Sequence, residues 1–195
     1  MSDIKTEDVK ALREQTGVSI MQCKKALEEA GGDAEKAITI LQKKSKETAA
    51  KKADRALGAG VVQAYIHNTN TVGAMVELSC ETDFVANNEE FKQLAYDIAM
   101  HITAENPQYV RKDEIAEEDR VKIEEVLKPE LEGTPEEKHD QIMQGKLDAH
   151  FRGSVLMEQP FVKDPEQTIA NLIESAIQKF GENIDVTRFT RFSIK

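Results

Sequence analysis

The sequence lacks long apolar runs, has few cysteines and has no excess of basic residues, and each shortage argues against a class of protein. No apolar stretch approaches the ~20 residues that a membrane-spanning helix requires. The only cysteines, Cys23 and Cys80, lie far apart, which excludes a disulfide framework and favours a reducing compartment. A net charge of -10 argues against broad binding to a nucleic-acid backbone, which needs a basic face.

Motifs that hold cofactors and metals are also missing from the sequence. There is no phosphate-binding loop of the GxxxxGK[ST] type, and Gly58-Ala59-Gly60 lacks the third glycine of a dinucleotide fingerprint. No CxxC, HExxH or EF-hand spacing is present. The first residues have neither the basic nor the apolar part of a secretory signal. We therefore predict a cytoplasmic protein without a metal or cofactor.

Residues 1–44 have the pattern of three short helices. Gly17 can end the first helix, Ser19 and Gln22 form a possible capping box for the second, and Asp33 can cap the third. The apolar positions recur at helical spacing and are Val9, Leu12, Cys23, Ala26, Leu27, Ala37, Ile38 and Leu41. So small a bundle leaves part of its surface apolar. It resembles the ubiquitin-associated fold, which is a recognition module.

A change in charge and pattern follows this module. Residues 45–58 contain strong helix formers without a continuous apolar stripe, which predicts a basic linker helix with solvated faces. An RNA contact is the functional alternative for these lysines. Residues 1–60 carry a net charge of +2 and residues 61–195 a net charge of -12. We therefore place a separate core domain at residues 59–195.

Two stretches with a period of two predict a β-hairpin near the start of this core. Residues 68–71 between them are typical of a turn. In the first stretch Val62, Ala64 and Ile66 alternate with Val61, Gln63, Tyr65 and His67, and in the second Val72, Ala74, Val76, Leu78 and Cys80 alternate with Gly73, Met75, Glu77 and Ser79. We expect these apolar rows to pack on helices. The opposite face would carry Val61, Tyr65 and Met75.

The end of the chain supplies a third strand. Residues 184–194 have apolar residues on both faces, with Val186 and Phe192 expected on one face and Phe189 on the other. Together with the hairpin this predicts a three-stranded antiparallel sheet. Helical spacing is present between residues 88 and 106 and between 165 and 180, and more weakly between 113 and 152. The predicted fold class is therefore α+β, with a solvated acidic segment at residues 105–140.

Cys80 is the best candidate for a catalytic nucleophile. His67 and Asp83 could serve as its base and orienting group if the strand ends bring them together. However, Cys80 is in phase with the buried row of its strand, so a buried thiol that acts as a small apolar residue is the favoured interpretation.

The stretch Glu81–Asn88 joins the second strand to a helix. Within it, Phe84 and Val85 could fold under the following helix as a hydrophobic staple, or Phe84 could project as an anchor for a binding partner. From composition alone the hydrophobic staple is the favoured interpretation, because such staples are common before helix caps.

Several segments of this chain are similar to the bacterial elongation factor Ts family. They are Leu12–Gly17, Met21–Leu27, Tyr65–His67, Glu77–Ala86 with Phe91, Gln159–Val162 and Gly181–Ile184, and they run in the family's order. Gln22 stands where the family usually has Asp. With room for one hairpin-and-helix core, the chain resembles the short form of the family.

The resemblance implies a guanine nucleotide exchange factor for elongation factor Tu, without enzymatic activity of its own. It implies that Thr82, Asp83, Phe84 and Val85 enter the G domain of that GTPase and disturb Mg²⁺ and phosphate binding. The N-terminal contact would use Val18, Ser19, Ile20, Met21 and Lys24, and a weaker match points to Tyr65 and His67. Short forms associate as homodimers through their sheets. The alternative is a ubiquitin-associated adaptor without exchange activity.

Overall fold

The computed structural model describes residues 4–131 and 135–194. By its internal contacts the chain divides into two compact units. The first contains the described residues up to Gln63 together with Glu77–Ala95 and Ala170–Thr187. The second contains Ala64–Val76, Tyr96–Ile169 and the described residues from Arg188 onward. The first unit therefore joins the N-terminal helices to segments that lie far along the chain.

Three helices begin the first unit, as predicted: α1 (Thr6–Thr16), α2 (Ile20–Glu29) and α3 (Ala34–Lys52). Gly17 ends α1 with a φ of 67°, a conformation that glycine adopts without strain. The Ser19 hydroxyl accepts from the N–H of Gln22, and the Asp33 carboxylate accepts from the N–H of Lys36. Their shared core contains the predicted apolar residues: Val9, Leu12, Cys23, Ala26, Leu27, Ala37 and Leu41 are buried, and Ile38 packs against them.

The predicted third helix and linker helix are one continuous helix, α3. No glycine or proline interrupts residues 34–52, so the helix has no physical reason to end near Leu41. The expectation of a fully solvated linker is wrong at Ser45, which is buried and donates a hydrogen bond to Gln178. The division into a module at 1–44, a linker at 45–58 and a core at 59–195 stays a prediction.

The main sheet has three strands in the order β1-β2-β5: β1 (Ala59–Ile66), β2 (Val72–Cys80) and β5 (Ile184–Ser193). This confirms the predicted hairpin and C-terminal strand. In β2 the row Ala74, Val76, Leu78 and Cys80 is buried, as expected.

The predicted orientation of β1 is wrong. Val62 and Ile66 are 60% and 61% exposed, whereas Val61 and Tyr65 are half-buried. Tyr65 meets Tyr96 edge-on, with ring centroids 5.5 Å apart. Apolar residues occupy both faces of this edge strand, so alternation alone does not reveal which face turns inward.

The two faces of β5 also differ from the prediction. Val186 is buried but Phe192 is 70% exposed, so they do not share an environment, and Phe189 is half-buried. Two successive exposed residues, Thr187 and Arg188, interrupt the alternation. A strict period of two therefore fails to place the second half of this strand.

The helices that follow β2 are α4 (Asp83–Ala86), α5 (Glu89–Glu105), α6 (Glu117–Leu127), α7 (His139–Arg152) and α8 (Ile169–Phe180). Asn88 caps α5 as predicted, since its side-chain oxygen accepts from the N–H of Glu90 at 2.8 Å. Short 3-10 turns cover Lys112–Glu114, Lys128–Leu131, Glu136–Lys138 and Leu156–Glu158.

A second, two-stranded sheet was not predicted. It pairs β3 (Pro160–Phe161) with β4 (Asp164–Thr168) in antiparallel fashion. His101, on α5, accepts a hydrogen bond at Nδ1 from the N–H of Val162, and its Nε2 lies 2.9 Å from Oε1 of Gln159. Through these bonds the fully buried side chain of His101 holds the start of the small sheet. In the described part of the chain, no helix has the length and apolar character to cross a membrane.

Candidate protein-binding site

The connection after β2 forms a short helix that displays one aromatic side chain. Within α4, Phe84 is 83% exposed, whereas the next residue, Val85, is 3% exposed. Val85 and Ala86 therefore anchor the helix to the protein, and Phe84 does not fold under as a hydrophobic staple. Phe84, Asp83, Asn87 and Asn88 border an open hollow on this surface.

Side chains from two distant segments hold the residues just before α4. The Glu182 carboxylate accepts from the N–H of Thr82 at 3.0 Å and from its hydroxyl at 2.5 Å. The Glu81 carboxylate accepts from the N–H of Asn183 at 2.6 Å and from Arg55 at 3.3 Å. The Asn183 N–H, and secondarily Arg55, lower the pKa of Glu81. No local sequence pattern points to these bonds, because Glu182 and Asn183 lie about a hundred positions from Thr82 and Glu81.

The proposed catalytic arrangement around Cys80 is absent from the structure. Cys80 is fully buried, and its Sγ donates to the carbonyl oxygen of Thr82 at 3.2 Å. Burial, followed by the nearby charge of Glu182, raises the pKa of this thiol, which disfavours the nucleophilic thiolate. His67 lies in the hairpin turn, where its Nδ1 lies 3.0 Å from Oγ1 of Thr69. Cys80 is instead the last residue of β2, at the end of the strand away from that turn.

The N-terminal module presents a second apolar surface at the start of α2. Ile20 and Met21 are 56% and 69% exposed, and Lys24 is also exposed, 3.9 Å from Glu28. Ser19 caps this helix, whereas Val18 is 2% exposed and belongs to the module's core. Of the five predicted contact residues, Val18 alone is therefore a buried residue, and its place in a contact stays a prediction.

A third apolar surface lies in the second unit. Ile66, Met75, Phe192 and Ile194 border one shallow hollow, and they are between 48% and 80% exposed. We call these four residues the outer apolar face. It differs from the predicted set of Val61, Tyr65, Met75 and Phe189, of which only Met75 is strongly exposed. Tyr65 is half-buried and packs against Tyr96, and the place of Tyr65 and His67 in a partner contact stays a prediction.

These surfaces are typical of a protein that binds another macromolecule through exposed apolar side chains. Among residues 4–131 and 135–194, no group of three or more histidine, cysteine or acidic side chains is arranged to hold a metal ion. Comparison with known sequences agrees with this class. Residues 5–195 match the profile of the family described as Elongation factor TS.

Relatives with the same description are similar over nearly their whole length. The chain is 50% identical over 192 residues to Elongation factor Ts of Thermodesulfovibrio yellowstonii, covering 98% of this chain and 96% of the relative. It is 47% identical over 193 residues to that of Carboxydothermus hydrogenoformans (98% and 89%) and 45% identical over 196 residues to that of Desulforamulus reducens (100% and 90%). The chain belongs to the elongation factor Ts family, which is a family of translation elongation factors.

Proposed function

We propose that this chain promotes the release of GDP from elongation factor Tu by inserting Phe84 into the G domain of that GTPase. The observation that carries the proposal is the contrast within α4, where Phe84 is 83% exposed and Val85 is 3% exposed. A large apolar side chain held outward on an anchored helix is suited to enter a pocket on a partner. Asp83, in the first turn of the same helix, places a carboxylate beside it.

The mechanism requires no bond chemistry from the factor. A GTPase of this type holds its nucleotide through Mg²⁺ and through backbone groups that surround the phosphates. A side chain that displaces the elements carrying these groups weakens the binding of GDP. Because binding free energies are linked, GDP and the factor each weaken the binding of the other by the same factor. GTP, when it is in excess, then replaces GDP.

The start of α2 supplies a separate docking surface on the G domain. Ile20 and Met21 are the exposed apolar residues there, and Lys24 adds a positive charge one turn later. Docking by this surface would keep the factor attached while Phe84 enters its pocket. Val18, buried in the core of the three helices, would act by fixing the start of the helix.

The same proposal includes a homodimer formed through the outer apolar face. Exposed apolar patches of this kind are uncommon on monomers, and a second copy offers the same residues in an isologous contact. Ile66, Met75 and Phe192 from each protomer would face those of its partner. This replaces the seam predicted from the sequence, because Val61 and Tyr65 turn inward.

A fluorescent-nucleotide assay tests the exchange function. Elongation factor Tu loaded with mant-GDP is mixed with excess GTP, with and without the factor, and the loss of fluorescence gives the GDP release rate. We expect the wild-type chain to accelerate release and Phe84→Ala to lose most of that acceleration. Val126→Ala is the control, because Val126 is 70% exposed on α6 in the second unit. Equal acceleration by wild type and Phe84→Ala would contradict the proposed insertion.

A further inference from the structure

We propose that Glu182 is a positioning residue that holds α4 in the orientation from which Phe84 engages its partner. The inference rests on the proposed function of Phe84 and extends it to a residue about a hundred positions away in sequence. Its basis is the pair of bonds in which the Glu182 carboxylate accepts from both the N–H and the hydroxyl of Thr82. Together with the bond from the N–H of Asn183 to Glu81, we call this arrangement the clamp. Thr82 is the N-cap residue of α4.

Thr82 holds the start of α4, while the buried Val85 and Ala86 hold its inner side. The Thr82 side chain makes no capping bond to its own helix. Its hydroxyl is directed to Glu182 instead, while its carbonyl oxygen accepts from the N–H of Ala86 and from the Cys80 thiol. A helix of four residues has few internal bonds, so its direction depends on its contacts with the rest of the protein. Removal of Glu182 would leave the N–H and hydroxyl of Thr82 to water.

Hydrogen bonds from three neighbouring residues hold the turn that carries Glu182. Gly181 ends α8 with a φ of 75°, and its N–H donates to the carbonyl oxygen of Ile177 at 3.0 Å. Asn183 is 7% exposed, and its side-chain amide donates to the carbonyl oxygens of Ala53 and Arg55 at 3.3 and 3.0 Å. Lys52, the last residue of α3, donates to the carbonyl oxygen of Gly181.

Glu81 and Glu182 each accept a hydrogen bond from the segment that carries the other. Glu81 receives the N–H of Asn183, and Glu182 receives the N–H of Thr82, so each segment supplies a carboxylate to the other's backbone. Charge-assisted bonds of this kind are shorter and stronger than neutral ones. The clamp therefore ties α4 to the end of α8 and, through Asn183, to the end of α3, all within the first unit.

The mant-GDP release assay with substitutions at Glu182 tests this role. Glu182→Ala should lower the factor's acceleration of GDP release about tenfold, as expected for the loss of charge-assisted hydrogen bonds. Glu182→Gln should recover most of the acceleration, because its amide oxygen can accept from the N–H of Thr82 and its NH₂ can donate to the hydroxyl. Glu118→Ala, an exposed position on α6, is the matched control and should leave the rate unchanged.

A double-mutant comparison separates positioning from direct contact. If Glu182 acts only through Phe84, adding Glu182→Ala to Phe84→Ala should change the release rate less than about twofold. Hydrogen exchange of the backbone amides at residues 82–88 should become faster in Glu182→Ala, with the amides of α1 and α2 unchanged. If Glu182→Ala does not fold, Glu182→Asp, which shortens the side chain by one methylene, takes its place.

The outcomes distinguish this inference from the function on which it rests. A Phe84→Ala variant that accelerates release like wild type would overturn the proposed function itself. An impaired Phe84→Ala together with a fully active Glu182→Ala would overturn only the positioning role. A loss from Glu182→Ala that is equally large with and without Phe84 would also overturn it, because Glu182 would then act independently of that side chain.

Discussion

Replacing Phe84 with alanine should separate binding from folding more sharply than any other single change. Phe84 is 83% exposed, so folding removes only about a sixth of its surface from water. Full burial of a phenylalanine contributes about 1.5–3 kcal/mol, which leaves roughly 0.3–0.5 kcal/mol for the folded contacts of Phe84. The free energy of unfolding should therefore change by no more than about 0.5 kcal/mol.

The effect on the partner should be several times larger. Truncation of an aromatic anchor at an interface commonly costs about 2 kcal/mol or more, which corresponds to roughly a 30-fold loss in affinity. Asp83→Ala should act in the same direction but more weakly, because the carboxylate flanks the anchor. The assays are thermal or urea unfolding and mant-GDP release on the same preparations.

Phe91 provides the matched comparison within the first unit. It is fully buried on α5 and meets Phe180 edge-on, with ring centroids 5.9 Å apart. Phe91→Ala should lower the free energy of unfolding by about 3–5 kcal/mol, the usual cost of a large cavity in a core. The reasoning is refuted if Phe84→Ala destabilises the fold as strongly as Phe91→Ala while leaving GDP release intact.

Three further substitutions test other parts of the account. Met75→Lys should convert the proposed dimer, about twice the 21.8 kDa chain, into a monomer in light scattering, because it places two charges in the outer apolar face; an unchanged mass would contradict that interface. Met21→Lys should weaken binding to elongation factor Tu by about tenfold or more without changing the melting temperature, since Met21 is 69% exposed; an equal affinity in titration would exclude this docking surface. Burial lowers the pKa of His101 below its usual 6.5, so the unfolded chain binds this proton more readily and stability should fall as the pH drops below about 6.5. His101→Asn should flatten that part of the pH profile in urea unfolding, and an unchanged slope would show that His101 does not cause it.

Local signals were sufficient to predict much of this fold. The caps at Ser19, Asp33 and Asn88 lie where short-range hydrogen bonding places them, and each is made within three residues along the chain. The hairpin followed from alternation and a polar turn. These elements depend on neighbouring residues, and neighbouring residues are what a single sequence reveals directly.

The orientation of the edge strand depended on information that the sequence does not carry locally. Both sides of β1 carry apolar residues, and composition favoured the side of Val62 and Ile66, which is the exposed one. The pairing of β1 with β2 and the contact of Tyr65 with Tyr96 determine which face of β1 turns inward. The break in the alternation of buried and exposed residues near Thr187 in β5 likewise arises from the fold.

The Phe84-Val85 pair marked the connection after β2 as unusual, but composition favoured a hydrophobic staple, which is wrong for Phe84. The structure shows Val85 inward and Phe84 outward. The bonds from Glu182 to Thr82 span about a hundred positions, and a separation of that size leaves no local pattern from which the clamp could be inferred.

Under the proposed function, this chain and GDP oppose each other's binding to elongation factor Tu. Titration calorimetry of the factor against nucleotide-free and GDP-saturated elongation factor Tu measures that opposition directly. By linkage, the ratio of the two affinities equals the factor by which this chain weakens GDP binding. We predict much tighter binding to the nucleotide-free form, with most of the difference lost in Phe84→Ala. Equal affinity for the two forms would contradict the account, because a protein with no preference between them cannot shift the nucleotide equilibrium.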